Sequence, residues 1–151
     1  MKRRHNLLSE ISVTYNPCLK SSCIISNTNE AYKAFLPFFP SETIQLQERF
    51  LVMYLNRSNK VLGIYPVSIG GITGTVADPR LILGVAVKVA ATGMILAHNH
   101  PSGSTKPSQA DFDITMKIKE ASRYLDIKVL DHLIVSFEEG AYYSMAESGV
   151  L

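Results

Sequence analysis

The chain has 151 residues, of which 46% are apolar and 19% are charged, a composition typical of one soluble globular domain. Its 15 basic and 13 acidic residues give a formal net charge of +2, so the charge balance gives no indication of a nucleic-acid-binding surface. The apolar runs are far shorter than the ~20 residues of a membrane helix, and no signal-peptide core follows the basic N-terminus. We therefore expect a cytoplasmic protein without membrane contact.

The N-terminal segment is predicted to be an extended arm. Residues 1–27 mix polar residues and Pro17 with short apolar pieces, and the domain itself is expected to occupy residues 28–151. The arm contains Cys18 and Cys23, but a structural zinc site needs four nitrogen or sulfur ligands, and no further histidine or cysteine lies near them. We therefore interpret both cysteines as reduced thiols.

The first half of the domain is predicted to form two short helices and a β-hairpin. Asn29 is a candidate N-cap for the first helix, and Ser41 begins the second. A polar turn signal at residues 56–59 separates two runs that are rich in strand-forming residues. The predicted elements are helices over 30–36 and 41–47 and strands over 50–55 and 61–67.

The second half of the domain alternates helices with strands. Asp78 followed by Pro79 is typical of a helix N-terminus, and apolar residues recur on one face of the helix that follows. The predicted elements are a helix that starts at 79 and ends near 91–93, a strand over 94–97, a helix over 109–124 and strands over 127–130 and 133–137. This alternation indicates an α/β fold, with a central mixed sheet flanked by helices.

The stretch from His98 to Asp111 carries the clearest chemical signal. Side chains alternate along an extended strand, so His98 and His100 point to the same side at the end of a predicted strand. Asp111 can return to them from the first turn of the next helix. Two imidazoles and a carboxylate are a typical ligand set of catalytic zinc, with a fourth position left for water. The same ligands also suit iron(II), so zinc is the expected metal without being the only one that fits.

Each of these residues also has a purely structural interpretation. Ser108 and Asp111 have the Ser-x-x-acid pattern of a helix N-terminus, where the serine caps the helix and the carboxylate favours its dipole. A single histidine is more often a surface or hydrogen-bonded residue than a metal ligand. The co-occurrence of a His-x-His pair, a strand end and a following loop with hydroxyl residues and a glycine favours the metal interpretation.

The spacing H-x-H, seven residues, Ser, two residues, Asp resembles the JAMM motif of the JAB/MPN-domain metalloproteins. The context of the motif at residues 97–103, together with residues 74–80 (GTVADPR) and 130–134 (LDHLI), resembles the RadC branch in particular. The resemblance extends over roughly residues 28–151 and implies a single JAB/MPN-type α/β domain.

The resemblance also implies a role for each residue of the site. The implied ligands of Zn²⁺ are His98, His100 and Asp111. Glu48 would act as the general acid/base that takes a proton from zinc-bound water and gives it to the leaving amine, and Glu42 is the alternative candidate. The hydroxyl group of Ser108 would stabilise the oxyanion of a tetrahedral intermediate.

Three further residues are candidates for supporting roles. Asn99 and Asp131 are candidates for the hydrogen bonds that orient the ligating histidines, whose second nitrogen usually donates to a carbonyl or carboxylate. His132 lies among apolar strand residues, and we interpret it as a hydrogen-bonded core histidine rather than as a ligand.

These inferences predict a zinc-dependent hydrolase that cleaves an amide or isopeptide bond in a peptide or protein. A nucleobase-type zinc deaminase is disfavoured, because its H-x-E and P-C-x-x-C signature is absent from the sequence. The alternative is a non-catalytic RadC-like module associated with DNA repair or recombination. Contact with nucleic acid is implied by the family name alone. The helix-hairpin-helix region is the more plausible DNA-contacting part of RadC proteins, and we expect 151 residues to leave no room for it, which weakens the DNA-repair interpretation. The oligomeric state is not predicted.

Overall fold

The computed structural model describes residues 9, 11–18, 20, 23–71 and 76–151, and a five-stranded mixed sheet lies at its centre. The strands are β1 (Arg49–Leu55), β2 (Val61–Ile69), β3 (Gly93–Asn99), β4 (Lys128–Val135) and β5 (Tyr142–Ser144). They lie in the order β2-β1-β3-β4-β5, with β3 and β4 parallel and the other neighbouring pairs antiparallel. The prediction of an α/β fold with a mixed sheet is confirmed.

Three α-helices cover the two faces of the sheet. They are α1 (Thr28–Phe35), α2 (Pro79–Lys88) and α3 (Gln109–Arg123). Helix α1 packs on one face, and α2 and α3 pack on the other. Strands β1 and β3 are buried on both faces, which is why their sequences are continuous apolar runs. None of the helices in the described part of the chain has both the length and the apolar character needed to span a bilayer.

Helix α1 begins and is capped earlier than predicted. Asn27 has an extended backbone (φ −155°), and its side-chain oxygen accepts a hydrogen bond from the N–H of Glu30 at 2.9 Å. The prediction of Asn29 as the N-cap is therefore wrong, because Asn29 already lies in the first turn of the helix. The helix tightens at its end into a 3₁₀ turn, Leu36–Phe38, where Pro37 cannot continue an α-helix.

The segment 41–47 forms consecutive turns and not the predicted second helix. The carbonyl groups of Ile44 and Gln47 accept hydrogen bonds from the side chain of Asn99. The N–H groups of Thr43 and Ile44 both bond to the carbonyl of Pro40, and those of Leu46 and Gln47 both bond to the carbonyl of Thr43. These bonds do not follow the i to i−4 series of an α-helix, so the prediction of a helix over 41–47 is wrong.

The predictions of the β-hairpin and of α2 agree with the structure, apart from where these elements end. Strands β1 and β2 form the predicted hairpin, and β2 continues to Ile69. The side chain of Asp78 caps α2 by accepting the N–H of Arg80 at 2.9 Å. Helix α2 ends at Lys88, before the predicted end, because Ala90 adopts a left-handed conformation (φ 54°). Gly74, part of the RadC-like stretch 74–80, lies outside the described residues.

Residues 128–135 form one strand where the sequence predicts two. Asp131 and His132 interrupt the apolar pattern, but both are buried and hydrogen-bonded within the fold. Strand β5 pairs with the end of β4 and is not predicted, because three residues are too few to show a period-two pattern. Helix α3 agrees with its predicted bounds to within one residue.

Candidate metal centre

Two histidines point to one face at the C-terminal end of β3. Met94 and Leu96 pack toward α2 and α3, and strand side chains alternate, so His98 and His100 point toward the same helices. His98 is fully buried, and His100 is half-buried directly after the strand. Helix α3 follows β3 in the chain and covers this face, which brings its N-terminus to the two imidazoles.

Asp111 lies in the first turn of α3 and is oriented by a capping box. The Ser108 hydroxyl oxygen accepts the N–H of Asp111 at 3.2 Å, and Asp111 Oδ2 accepts the N–H of Ser108 at 2.7 Å. The structural interpretation of this pair is therefore correct. It is also compatible with a role in the site, because the two hydrogen bonds fix the direction of the Asp111 carboxylate.

Three ligand atoms converge at this point. Asp111 Oδ1 lies 3.2 Å from Nε2 of His98, and Asp111 Oδ2 lies 3.3 Å from Nε2 of His100. The two Nε2 atoms are 3.0 Å apart, and one ligand atom from each residue lies within 4.8 Å of the others. Electron pairs that face one another so closely repel unless a proton or a metal ion lies between them. The donor set of two imidazole nitrogens and one carboxylate oxygen fits zinc.

The charges of the site are strongly coupled. The hydrogen bond with Asp111 raises the pKa of His100 above its ordinary value, although burial acts in the opposite direction. Burial would raise the pKa of Asp111, but its close contacts with the imidazoles of His100 and His98 outweigh that effect and lower the pKa well below the usual range. Asp111 is therefore a carboxylate, and its charge favours the protonated form of His100 in the absence of metal.

The loop after β3 holds the ring of His100. Nδ1 of His100 lies 2.9 Å from the carbonyl oxygen of Ser104. A carbonyl only accepts, so Nδ1 donates, and in the neutral ring Nε2 presents a lone pair to the site. Gly103 makes this loop possible, because it has a left-handed backbone (φ 81°) and a Cβ there would overlap the ring of Phe137.

The ring of His98 is held by a second buried histidine. Nδ1 of His98 lies 2.8 Å from Nε2 of His132, and Nδ1 of His132 lies 2.5 Å from the Thr115 hydroxyl. Burial lowers the pKa of His132 well below its ordinary value, and the neighbouring His98 lowers it further. The prediction that His132 is a hydrogen-bonded core histidine is confirmed, whereas its contact with His98 is not evident from the sequence.

Asp131 does not take the supporting role predicted for it. Its carboxylate accepts hydrogen bonds from the Ser144 hydroxyl at 2.6 Å and from the N–H of Ala146 at 3.0 Å. Because side chains alternate along β4, Asp131 points to the face opposite His132. The prediction fails because a one-residue step in a strand changes the face, and Asp131 instead connects β4 to β5 and the C-terminal turn.

Asn99 supports the site in a different way from the one predicted. Its side chain points to the α1 face, where its oxygen accepts the N–H of Arg49 at 2.8 Å. Its amide group donates to the carbonyl oxygens of Ile44 at 2.7 Å and Gln47 at 2.9 Å. Asn99 thus bonds to the residues on both sides of Glu48 and fixes the backbone of that residue against the end of β3.

The position of Glu48 brings a fourth ionisable group to the cluster. Glu48 is half-buried, and burial raises its pKa. The imidazoles of His98 and His100 lower this pKa and the charge of Asp111 raises it, so all three groups lie within electrostatic range of the Glu48 carboxyl. Glu42, the alternative candidate, is exposed in the turns before β1.

Comparison with known proteins places the chain in a family. The sequence model of the RadC-like JAB domain matches residues 25–150. A UPF0758 protein of Flavobacterium johnsoniae is 52% identical over 103 residues, which cover 68% of this chain and 44% of the relative. UPF0758 proteins of Porphyromonas gingivalis and Aquifex aeolicus are 40% and 39% identical over 127 and 132 residues, covering 84% and 87% of this chain and 54% of each relative.

The chain thus spans about half the length of the curated relatives it matches. The match to the family, in contrast, includes every strand and α-helix of the described residues, together with His98, His100 and Asp111. This chain therefore belongs to the RadC-like JAB domain family.

Proposed function

We propose that this chain is a JAMM-type zinc hydrolase that cleaves an amide or isopeptide bond in a peptide or protein substrate. In this proposal His98, His100 and Asp111 bind zinc, and Glu48 and Ser108 are the catalytic groups. The observation that carries the proposal is the convergence of three ligand atoms within 4.8 Å, beside a half-buried carboxyl group whose pKa responds to all three ligands.

Zinc suits both the ligands and the chemistry. A zinc ion with an open position is a Lewis acid that polarises a carbonyl and lowers the pKa of bound water from 15.7 to about 7. Asp111 is an anion at neutral pH. The neutral ring of His100 presents the lone pair of Nε2, so His100 binds a cation once it has released the proton that Asp111 favours. The chain itself must then supply the group that transfers protons and the donor that stabilises negative charge.

Glu48 is the proposed proton-transfer group. Its carboxylate accepts a proton as water attacks the carbonyl carbon, and the same carboxyl group then donates that proton to the departing amine nitrogen. Burial raises the pKa of Glu48. The raised pKa lies closer to neutral pH, where one carboxyl group can both accept and donate a proton. Asn99 contributes by holding the backbone on both sides of Glu48.

Ser108 is the proposed oxyanion donor. The capping hydrogen bond uses a lone pair of the Ser108 oxygen, which leaves the O–H proton to donate to a substrate oxygen. Capping and catalysis can therefore share this hydroxyl group. Removal of one such donor in other hydrolases lowers the rate by about 10²–10³-fold.

Metal analysis combined with a substrate panel tests the proposal. We expect purified protein to bind one zinc ion per chain and to cleave at least one member of a panel of peptides and lysine-linked isopeptides. His98→Ala and Asp111→Asn should lose both properties. Asp113→Asn is the matched control, because Asp113 lies on the same helix, is exposed and bonds to the side chain of Gln109.

Two results would overturn the proposal. Zinc content that is equal in the wild type and in His98→Ala would show that the cluster is not the binding site. A zinc-loaded protein that cleaves nothing in the panel but binds DNA fragments at moderate salt would instead support the non-catalytic RadC-like alternative.

A further inference from the structure

We propose that Thr115 and His132 are positioning residues that fix the tautomer of His98, so that its Nε2 presents a lone pair to the metal. The proposal rests on the proposed zinc site and extends it to two buried residues beyond the ligands. The observation behind it is a continuous series of hydrogen bonds from His98 through His132 and Thr115 to the backbone carbonyl of Asp111.

The short contacts determine where the protons lie. The Thr115 hydroxyl oxygen is 2.5 Å from the carbonyl oxygen of Asp111 and 2.5 Å from Nδ1 of His132. Two oxygen atoms at this distance repel each other unless a proton lies between them, and a carbonyl carries none. Thr115 therefore donates to Asp111, and it has no second proton to donate to His132. The proton of the second contact must belong to Nδ1 of His132.

The tautomer of His98 follows from that of His132. His132 is fully buried, and a neutral imidazole carries one N–H, so protonated Nδ1 leaves Nε2 as an acceptor. Nδ1 of His98 lies 2.8 Å from this acceptor and must donate to it. The proton of a neutral His98 is then on Nδ1, and Nε2 directs its lone pair toward Asp111 and His100.

The opposite tautomer would compete with metal. If His132 carried its proton on Nε2, it would donate to His98, and the proton of His98 would lie on Nε2. That proton would point at the Asp111 carboxylate, 3.2 Å away, in the position that a metal ion must take. Thr115 prevents this arrangement by requiring the proton of His132 at the other nitrogen.

The fold places these residues to act together. Thr115 lies one helical turn after Asp111 on α3, and His132 points to the same face from β4. The ring of Phe50 stacks on His98 with centroids 6.0 Å apart and meets His132 edge-on at 5.4 Å, which limits rotation of both imidazoles. The series thus begins at one ligand, His98, and ends at the backbone of another, Asp111.

A pair of substitutions at Thr115 tests the proposal. Thr115→Val has nearly the same shape and removes the hydroxyl group, whereas Thr115→Ser retains it. We expect Thr115→Val to bind zinc about 10–100-fold more weakly, the loss typical of removing a partner of a ligating histidine. Thr115→Ser should bind zinc as the wild type does. Zinc affinity is measured by competition with a chromogenic chelator.

Imidazole ¹⁵N NMR supplies a second, direct readout. In the wild type, His132 should show a protonated Nδ1 and an unprotonated Nε2, both without zinc and with zinc bound. In Thr115→Val, the population with protonated Nε2 should increase in the metal-free protein. A protonated Nε2 on His132 in the wild type, or equal zinc affinity of Thr115→Val and Thr115→Ser, would overturn the proposal.

The two readouts separate this proposal from the proposed function. A wild type that binds no zinc contradicts the metal site, while the ¹⁵N spectrum still decides the tautomer of His132. A wild type that binds zinc, with no difference between the two Thr115 variants, contradicts the role of Thr115 and leaves the metal site intact. If Thr115→Val does not fold, the wild-type spectrum alone is decisive.

Discussion

Glu48 and Glu42 differ in what surrounds their carboxyl groups. Glu48 is half-buried within electrostatic range of His98 and His100, and burial raises its pKa. Glu42 is exposed in the turns before β1. A desolvated carboxyl group that is coupled to other ionisable groups is suited to proton transfer, whereas an exposed one is not. The argument for the general acid/base role therefore favours Glu48.

Substitution of Glu48 or Glu42 by neutral glutamine distinguishes the two candidates for the general acid/base. We expect Glu48→Gln to retain zinc but to lower kcat by about 10²–10⁴-fold, because glutamine has a similar shape and cannot take up a proton. Glu42→Gln should leave both zinc content and kcat unchanged. The measurements are zinc content and kcat on the best substrate of the panel. Equal losses of kcat in both variants, or loss of zinc from Glu48→Gln, would contradict the assignment.

Asn99 connects two elements that are distant in the chain. It follows the ligand His98 at the end of β3 and bonds to three backbone groups in the segment that leads into β1. One of these groups donates and two accept, so the side chain must offer both an oxygen and an N–H₂ group. Asparagine meets this requirement, and a carboxylate of the same shape does not.

An isosteric change at Asn99 should therefore be costly. In Asn99→Asp, a carboxylate oxygen would face the carbonyls of Ile44 and Gln47 in place of the amide, and we expect a loss of about 2–4 kcal/mol of folding free energy. Asn56→Asp is the matched control, because the Asn56 oxygen accepts two backbone N–H groups, from Ser58 and Lys60. Urea unfolding of both variants measures the difference. A similar small loss in both would show that the Asn99 amide is not needed.

The sequence predicts the positions of the three proposed ligands better than it predicts the residues that support them. Alternation along β3 predicts that His98 and His100 point to one side, and a local capping pattern predicts where Asp111 begins α3. The partners of Asn99 and His132 depend instead on which element packs opposite them, and no local pattern contains that information. The contacts of the turns at 41–47 are likewise absent from the local pattern, because the side chain that bonds to the carbonyls of Ile44 and Gln47 belongs to Asn99 on β3.

At the scale of the whole molecule, the cluster couples the central sheet to a helix that covers it. His100 follows β3 and Asp111 lies in the first turn of α3, so the ion pair that forms when His100 is protonated stabilises the packing of these two elements in the metal-free protein. Asp111 raises the pKa of His100 above its ordinary value of 6.5. The stabilisation that a protonated His100 gives to the fold is therefore complete below pH 6.5 and is lost as the pH rises through the raised pKa. The pKa of Asp111 is lowered from its ordinary value of 3.8. The stabilisation that the Asp111 carboxylate gives to the fold is therefore complete above pH 3.8 and is lost as the pH falls through the lowered pKa.

Zinc should reverse this dependence on pH. In the proposed site, zinc would replace the proton between His100 and Asp111, and both histidines would have to be deprotonated to bind it. At a zinc concentration that is 100 times the Kd at pH 8, we expect a gain of about 2.7 kcal/mol in folding free energy, or roughly 5–10 °C in Tm for a domain of this size. At the same zinc concentration, the gain should be much smaller at pH 5.5, because protons compete for His98 and His100.

Thermal unfolding of the wild type and Asp111→Asn, with and without zinc at both pH values, measures this effect. Asparagine can still accept the N–H of Ser108 but carries no charge, so the variant should keep its helix cap and show little gain with zinc at either pH. Comparing each protein with its own metal-free form removes the direct effect of the substitution on stability. Equal gains at pH 5.5 and pH 8, or a full gain in Asp111→Asn, would mean that zinc stabilises the fold from a site other than this cluster.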